Sequence, residues 1–407
     1  MAGCSVNVQK GVAMGIDKSL LPEKIFEQYG TDLYHCASCN YCVDAVWPDR
    51  NINHVCVTLQ HHEKNPSYSG RGFIEAARFL AEGNELDLAS LAKRVFTCTG
   101  CGNCDTACPI GLRPSEVGKA LKRWLSEEGL APKEVVASKS KILSDGRAYA
   151  GSSIYTDAKY TKHAETDCEI NYFPGCSSNE NLLKTVQSDL KLMDLLRVKF
   201  RYLDPHDNCC GAVLKELGEE KESAVWAQDL FKEDQQSSRR NSLVVSGYEC
   251  CNHLSKTTNR EPVSLPRWIL SRLLSKDSST KLELRTKHSV RVNLLETCQL
   301  KKEGQINRSN PSDEFLFREF LEGFDIIVLN EHYPSRHALC CGASGSMKAM
   351  QPTSASAMAT HKLPTEEDVI SITLDPRCAL HYCKSANSSN AVMSFSAFIC
   401  EYFGISD

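Results

Sequence analysis

The run Cys98-Thr99-Gly100-Cys101-Gly102-Asn103-Cys104-Asp105-Thr106-Ala107-Cys108-Pro109 sets four thiols at the spacing C-x2-C-x2-C-x3-C-P. Thiolates are soft donors, and the first three can grip three corners of one iron–sulfur cubane while the glycine-containing loop wraps the inorganic core. The fourth, ahead of a proline, reaches over to a second cluster in such runs, which calls for another triplet upstream. Cys36-Ala37-Ser38-Cys39-Asn40-Tyr41-Cys42 supplies it. The chemistry implied is one-electron transfer.

The spacing is that of bacterial-type ferredoxins. Where a Cys-Pro is expected after Cys42 the chain reads Val46-Trp47-Pro48, so Cys56, fourteen residues past Cys42, is the natural substitute. The crossed pattern assigns Cys36, Cys39, Cys42 and Cys108 to one [4Fe–4S] cubane and Cys98, Cys101, Cys104 and Cys56 to the other. Structural zinc competes, because paired C-x2-C knuckles also build tetrahedral sites, but zinc would leave the third thiol of each triplet idle.

Twenty-one cysteines in 407 residues are too many for an ordinary soluble chain, and the chain is too long for a disulfide-stapled secreted domain. Met1 to Gly15 lacks a cationic start and an apolar core, and no apolar run is long enough to span a bilayer. These features predict a cytoplasmic protein with no transmembrane segment of its own, whose thiols serve metal or redox chemistry. A net charge of −4 with scattered Lys/Arg pairs gives no reason to expect nucleic-acid binding.

Positioning these thiols requires several domains. Gly72–Glu82, Glu85–Val95 and Pro114 to about Leu130 carry apolar residues at helical spacing, which predicts helices around the clusters. Residues 132–167 turn polar and read as a linker. The remainder contains an internal duplication. Ile170–Pro174 and Val290–Glu296 read as strands ending at Cys176 and Cys298, and Phe200–Leu203 and Asp325–Asn330 as second strands. Next come Cys209-Cys210-Gly211 and Cys340-Cys341-Gly342, then helices over about Val213–Gln235 and Ser354–Lys362. Third strands, Ser242–Ser246 and Val369–Leu374, end near Cys250 and Cys378. Alternating strands and helices imply parallel pairing, with cysteines at the carboxyl ends where open α/β sheets place ligands. The expected class is α+β multidomain: an N-terminal all-helical ferredoxin domain (1–131), a linker (132–167), and two duplicated α/β lobes with parallel strands (168–288 and 289–407).

A leading cysteine, a Cys-Cys-Gly and a terminal cysteine cluster resemble the cysteine-rich CCG domain. That domain occurs in the B-type component of heterodisulfide reductase and in the iron–sulfur subunits of glycolate, lactate and anaerobic glycerol-3-phosphate dehydrogenases. A two-cluster ferredoxin domain ahead of two such copies is the layout of the D-type component of heterodisulfide reductase. The resemblance implies one or two non-cubane [4Fe–4S] clusters in the lobes, beside two cubanes in the ferredoxin domain. Carried over, the first copy offers Cys176, Cys209, Cys210 and Cys250, and the second Cys298, Cys340, Cys341 and Cys378 as the catalytic set. The family's final cysteine is replaced by His253 and by His381, and a fifth thiol lies off-register as Cys251 or Cys383. Three readings stay open: histidine ligands, displaced cysteines reaching the cluster, or four-cysteine sites, with one lobe empty of metal as a variant of the last.

The function implied is an iron–sulfur oxidoreductase subunit that relays electrons through two cubanes to or from the CCG sites. Heterodisulfide-reductase-like disulfide/thiol chemistry would occur there. The alternative is a non-catalytic electron-transfer subunit of a flavin-dependent 2-hydroxy-acid or glycerol-3-phosphate dehydrogenase, or of a larger complex. Either way the partners are other redox subunits, a flavoprotein or a membrane cytochrome, with a small-molecule disulfide or a quinone-linked carrier; association with the membrane would be peripheral, through a partner. His332, Arg336, His337 and Arg377 flank the second motif and read more readily as solvated or charge-balancing residues than as substrate contacts.

Overall fold

The three amphipathic stretches of the N-terminal region form the helices Gly70–Ala81, Leu88–Thr97 and Pro114–Glu127. Asp87 caps the second by accepting from the Ala89 N–H, and Pro114 starts the third, where a missing N–H costs nothing. With Glu23–Tyr34 they enclose a core of Leu33, Phe73, Ile74, Val95, Phe96 and Leu121. Each such side chain contributes roughly 1.5–3 kcal/mol on burial. The computed structural model describes residues 20–45, 54–149, 168–178, 184–203, 209–232, 242–275, 282–285, 289–295, 297–302, 312–329, 338–386 and 392–405. Part of the expected linker departs from its reading: Lys133–Asp145 is a helix whose Val135 and Ile142 are buried against this same core. Those two apolar positions, two turns apart, are too sparse to register as a periodic face.

Beyond it lie two similar sheets. The first holds β1 (Ile170–Phe173), β2 (Phe200–Tyr202), β3 (Ser242–Val245) and β4 (Val263–Ser264) in the order β2-β1-β3-β4. The second holds β5 (Val290–Leu294), β6 (Ile326–Val328), β7 (Val369–Thr373) and β8 (Val392–Ser394) in the order β6-β5-β7-β8. Every pairing is parallel; Ile170 lies between Phe200 and Ser242, and Val292 between Val328 and Ile370. The internal duplication is thus one of fold as well as of motif. Each sheet gains a fourth strand absent from the sequence reading, because two or three residues leave no alternation to read. The helix expected over Val213–Gln235 is split into Ala212–Glu216 and Glu220–Asp229.

Strand order reverses between β1 and β3, and between β5 and β7. The carboxyl ends of these four strands carry Cys176, Cys250, Cys298 and Cys378, so each quartet grows out of the switch point of its sheet. One apolar core serves both lobes, with Tyr172, Val244, Ile269, Val292, Phe317 and Phe398 buried in it. The helix Thr185–Leu195 of the first lobe packs on Phe395–Tyr402 of the second, and Leu265–Leu273 on Asp313–Glu322.

Two carboxylates are buried in this shared layer. Asp189 accepts from Tyr172 Oη at 2.5 Å and Ser246 Oγ at 2.7 Å, and Asp313 from Tyr248 Oη at 2.6 Å and Arg267 Nε at 2.7 Å. Burial pushes the Asp189 carboxyl up to about 6. Because the folded value lies above the unfolded one, the stability this group contributes is complete below about pH 4 and is lost as pH rises through about 6. The loss is about 3 kcal/mol. Asp189→Asn should flatten that slope, so that Tm of the variant exceeds the native value at pH 8 and not at pH 5. Parallel Tm profiles from pH 4 to 8 would contradict this.

Candidate functional site: thiol quartets around one cleft

Both N-terminal triplets adopt one backbone form. Ser38 and Gly100 have φ of 53° and 67°, and Asn40 and Gly102 have 68° and 80°, so the chain curls left-handed on each side of the middle cysteine. Short helices follow, Tyr41–Asp44 and Asn103–Ala107. Cys36, Cys39, Cys42 and Cys108 line one cavity together with Pro109 and Ile110. Burial, and then Cys36, Cys108 and Cys39, push Cys42 up to about 12. Burial likewise pushes Cys56 up to about 12, with Cys98 and Cys101 acting on it. Burial pushes Cys104 well up, with Asp105, Cys101, Cys98 and Cys56 adding to it. The structure therefore brings the cysteines together in two crossed groups. Cys104 and Cys108, about one helical turn apart, serve opposite ones.

One positioning residue escaped the sequence reading. Asn103, 1% exposed, donates from Nδ2 to the Val55 carbonyl at 3.0 Å and so ties Cys56 to the second triplet. No spacing rule marks such a residue. Backbone N–H groups of Gly100 and Leu112 donate to Cys98 Sγ and Cys108 Sγ, each at 3.3 Å, as second partners that stabilise thiolate ligands. Among the described residues no three Cys, His, Asp or Glu side chains converge on a single metal ion.

In the first lobe Cys176 Sγ lies 3.9 Å from Cys209 Sγ, and Cys210 interacts with both Cys209 and Cys250. In the second, Cys341 Sγ lies 3.3 Å from Cys378 Sγ and Cys298 hydrogen-bonds Cys340. The two quartets share an electrostatic pattern. Cys209 is held well below the usual thiol range by hydrogen bonds from Cys176 and Cys210, and Cys340 by those from Cys298 and Cys341. Iron ligation requires each of these thiols as thiolate, and the mutual hydrogen bonds show how closely the four are packed.

The two histidines occupy matching places. His253 Nε2 meets Ser223 Oγ at 3.0 Å and the Ser223 carbonyl at 3.3 Å, and His381 Nε2 meets the Ala355 carbonyl at 3.0 Å. Those same carbonyls back the Cys-Cys-Gly turns. A Cβ on Gly211 (φ +81°) would lie 2.7 Å from Ser223 O, and one on Gly342 (φ +90°) 2.5 Å from Ala355 O. Only glycine permits both that backbone form and that approach. The off-register thiols turn to the fourth strands: Cys251 Sγ donates to Pro262 O at 3.6 Å and Cys383 Sγ to Val392 O at 3.4 Å. Cys400, which matches no spacing, is buried and donates to Ser188 O at 3.5 Å.

The four quartets are not equally placed. Cys101 and Val57 pack in one apolar cluster with Cys298, Cys340 and Met347, and the Thr99 side chain hydrogen-bonds Cys340. The inner ferredoxin quartet therefore abuts the second lobe. At the outer quartet Cys39 is exposed, and Tyr41 and Ile110 beside it are 57% and 58% exposed. Between the lobes Arg377 is locked rather than solvated. It bonds Glu216 at 2.7 and 3.2 Å, Tyr149 Oη at 3.0 Å, the Ala343 carbonyl at 2.6 Å, and Glu249. Arg377 precedes Cys378 as Glu249 precedes Cys250, so the duplicated positions meet as an ion pair. His332, Arg336 and His337 lie outside the described residues.

A cleft of about 1190 Å³, counting its open mouth, lies where the three domains meet. Thr99 and Gly100 from the inner quartet, Ala212 and Glu249 from the first lobe, and Gln299 and Ser344 from the second all line it. Each of these residues lies within three positions of a quartet cysteine, although no quartet cysteine itself lines the cleft.

A family model described as a 4Fe-4S dicluster domain matches residues 32–112, and one described as a cysteine-rich domain matches residues 170–255. The D-type component of the dihydromethanophenazine:CoB–CoM heterodisulfide reductase of Methanosarcina barkeri is 23% identical over 315 residues, covering 70% of this chain and 71% of the relative. This chain resembles the heterodisulfide reductase D-type component over about 70% of its length. The counterpart from Methanosarcina mazei is 24% identical over 314 residues, 70% of this chain and 71% of the relative. That from Methanosarcina acetivorans is 23% identical over 322 residues, 73% of each. The two family models and these likenesses support an iron–sulfur electron-transfer subunit. Among the described residues no helix is long and apolar enough to cross a membrane.

Proposed function

We propose that the chain is the disulfide/thiol oxidoreductase subunit of a larger redox assembly, with two [4Fe–4S] cubanes as its wire and the cleft as its reaction site. The observation that carries this reading is the convergence of the inner quartet and both Cys-Cys-Gly lobes on one cleft. The ligands would be Cys36, Cys39, Cys42 and Cys108 at the outer site and Cys56, Cys98, Cys101 and Cys104 at the inner one. Iron–sulfur clusters held there supply single electrons at low potential.

The protein's part is placement. Thr99, Cys101 and Val57 hold the inner site against Cys298 and Cys340, while Tyr149 and the Arg377–Glu216–Glu249 network fill the space between the lobes. Reducing a disulfide consumes two electrons and two protons and yields two thiols. The Cys176–Cys209–Cys210–Cys250 and Cys298–Cys340–Cys341–Cys378 quartets, buried behind residues that line the cleft, would exchange electrons with a disulfide bound there. A redox partner would dock at the outer quartet, where Cys39, Tyr41 and Ile110 reach the surface.

The isolated chain, brown and loaded with iron, should oxidise reduced viologen with the CoB–CoM heterodisulfide or with glutathione disulfide as acceptor. Turnover that starts only after a flavoprotein partner is added would favour a pure electron conduit. Colourless, zinc-rich protein would refute both.

We further propose four-cysteine sites in both lobes, with His253 and His381 as positioning residues. Gln can donate to the same carbonyl, so His381→Gln should keep the native iron content and EPR signals, whereas His381→Ala should lower iron loading of the second lobe roughly 10-fold. A directly bound imidazole nitrogen detected by electron spin echo spectroscopy, and lost in His381→Gln, would contradict this.

A further inference from the structure

A buried cation stands where the ferredoxin domain meets the second lobe. Lys122, on the helix Pro114–Glu127, is 5% exposed, with Nζ 2.7 Å from the Cys98 carbonyl and 2.7 Å from Ser346 Oγ. Ser346 Oγ itself donates to Cys98 O at 3.3 Å, closing a triangle between the inner-quartet loop and the helix Gly345–Met350.

Both hydrogen-bond partners of the ammonium are neutral oxygens, and the Phe96 ring beneath it, 5.9 Å away, carries no net charge. Taking a charge out of water is costly unless an opposite charge compensates it, and a carbonyl and a hydroxyl do not. Lys119, on the same helix, is paired with Glu116 at 2.5 Å, and Glu216, the carboxylate that acts on Lys122, is bound by Arg377 at 2.7 Å. Burial lowers the Lys122 amine and Cys98 and Glu216 oppose that; with Glu216 taken by Arg377, the inner quartet is the counter-charge that holds the ammonium. At the outer quartet Arg71 acts on Cys42 and Cys36, but its charge is shared with the Glu75 carboxylate at 2.7 Å, whereas Lys122 has no carboxylate partner of its own.

We propose that Lys122 sets the reduction potential of the group held by Cys56, Cys98, Cys101 and Cys104, raising it above that of the outer site. The proposal rests on the reading that these cysteines hold an iron–sulfur cluster. A fixed positive charge in a low-dielectric joint favours the more negative, reduced state of its neighbour. Electrons arriving at the exposed quartet then run downhill towards the second lobe. Lys122 is a positioning and tuning residue; it touches no reacting atom.

EPR-monitored redox titration of the iron-loaded chain tests this, with the outer cubane as internal reference. Lys122→Gln keeps donors for both oxygens and removes the charge. It should lower the inner potential by about tenfold in the one-electron equilibrium, about 59 mV, and leave the outer one unchanged. Lys122→Arg should stay near native, and Ser346→Ala, which breaks the bridge but keeps the charge, should move the potential little. An inner potential in Lys122→Gln equal to native would overturn the proposal, as would an equal shift in Lys122→Arg. Should Lys122→Gln fail to load iron, Lys122→Met is read in its place against the same criteria. Failure of the underlying reading shows separately, as a Cys104→Ala chain that retains both cubane signals.

Discussion

Alanine at Cys108 should remove the outer cluster and spare the inner one, although Cys108 closes the very run that supplies three inner ligands. Iron should fall by roughly four atoms per chain, and the remaining EPR signal should match that of Cys39→Ala. Cys56→Ala should instead match Cys104→Ala. The expectation follows from the grouping in space, where Cys42 is surrounded by Cys36, Cys39 and Cys108 while Cys56 sits with Cys98, Cys101 and Cys104. An uncrossed arrangement would pair the spectra by sequence neighbourhood, with Cys108→Ala resembling Cys104→Ala. The effect is all-or-none for one cluster, and EPR with iron and sulfide analysis reads it directly.

Alanine at Cys340 should cut disulfide turnover by at least about 100-fold while both cubanes stay reducible by dithionite. Cys340 is held below the usual thiol range by hydrogen bonds from Cys298 and Cys341, and it takes a further bond from Thr99 of the inner-quartet loop. It is therefore the point where the second lobe meets the ferredoxin domain. Cys209 has the same standing within its own quartet but no such neighbour from the ferredoxin loop among its named partners. Turnover in Cys340→Ala within threefold of native would show that the second lobe is not the reaction site.

Much of this organisation was legible in the sequence because iron–sulfur sites write themselves as spacings. The triplets, the Cys-Cys-Gly pairs and the parallel β-α repeats depend on local chain geometry, and Cys56 stood out as the nearest unassigned thiol. What was not legible depends on contacts between distant segments. Asn103 holding the Val55 carbonyl, Lys122 bridging Cys98 to Ser346, and Arg377 meeting Glu249 are long-range events with no periodic signature. The histidines show the same limit. Their repetition marked them as meaningful, yet the role proposed for them became visible only once Ser223 and Ala355 were seen backing the glycines of both turns. The helix Lys133–Asp145 was missed for the opposite reason, since of its apolar residues only Val135 and Ile142 are buried while Val136 and Leu143 are exposed.

Rapid-freeze EPR of the dithionite-reduced chain mixed with excess disulfide tests the central claim most directly, comparing native protein with Cys298→Ala. The expected result is that both cubane signals disappear within the turnover time in the native chain and persist in the variant. Signals that persist in the native chain, or that vanish equally fast in Cys298→Ala, would contradict electron delivery through the second lobe.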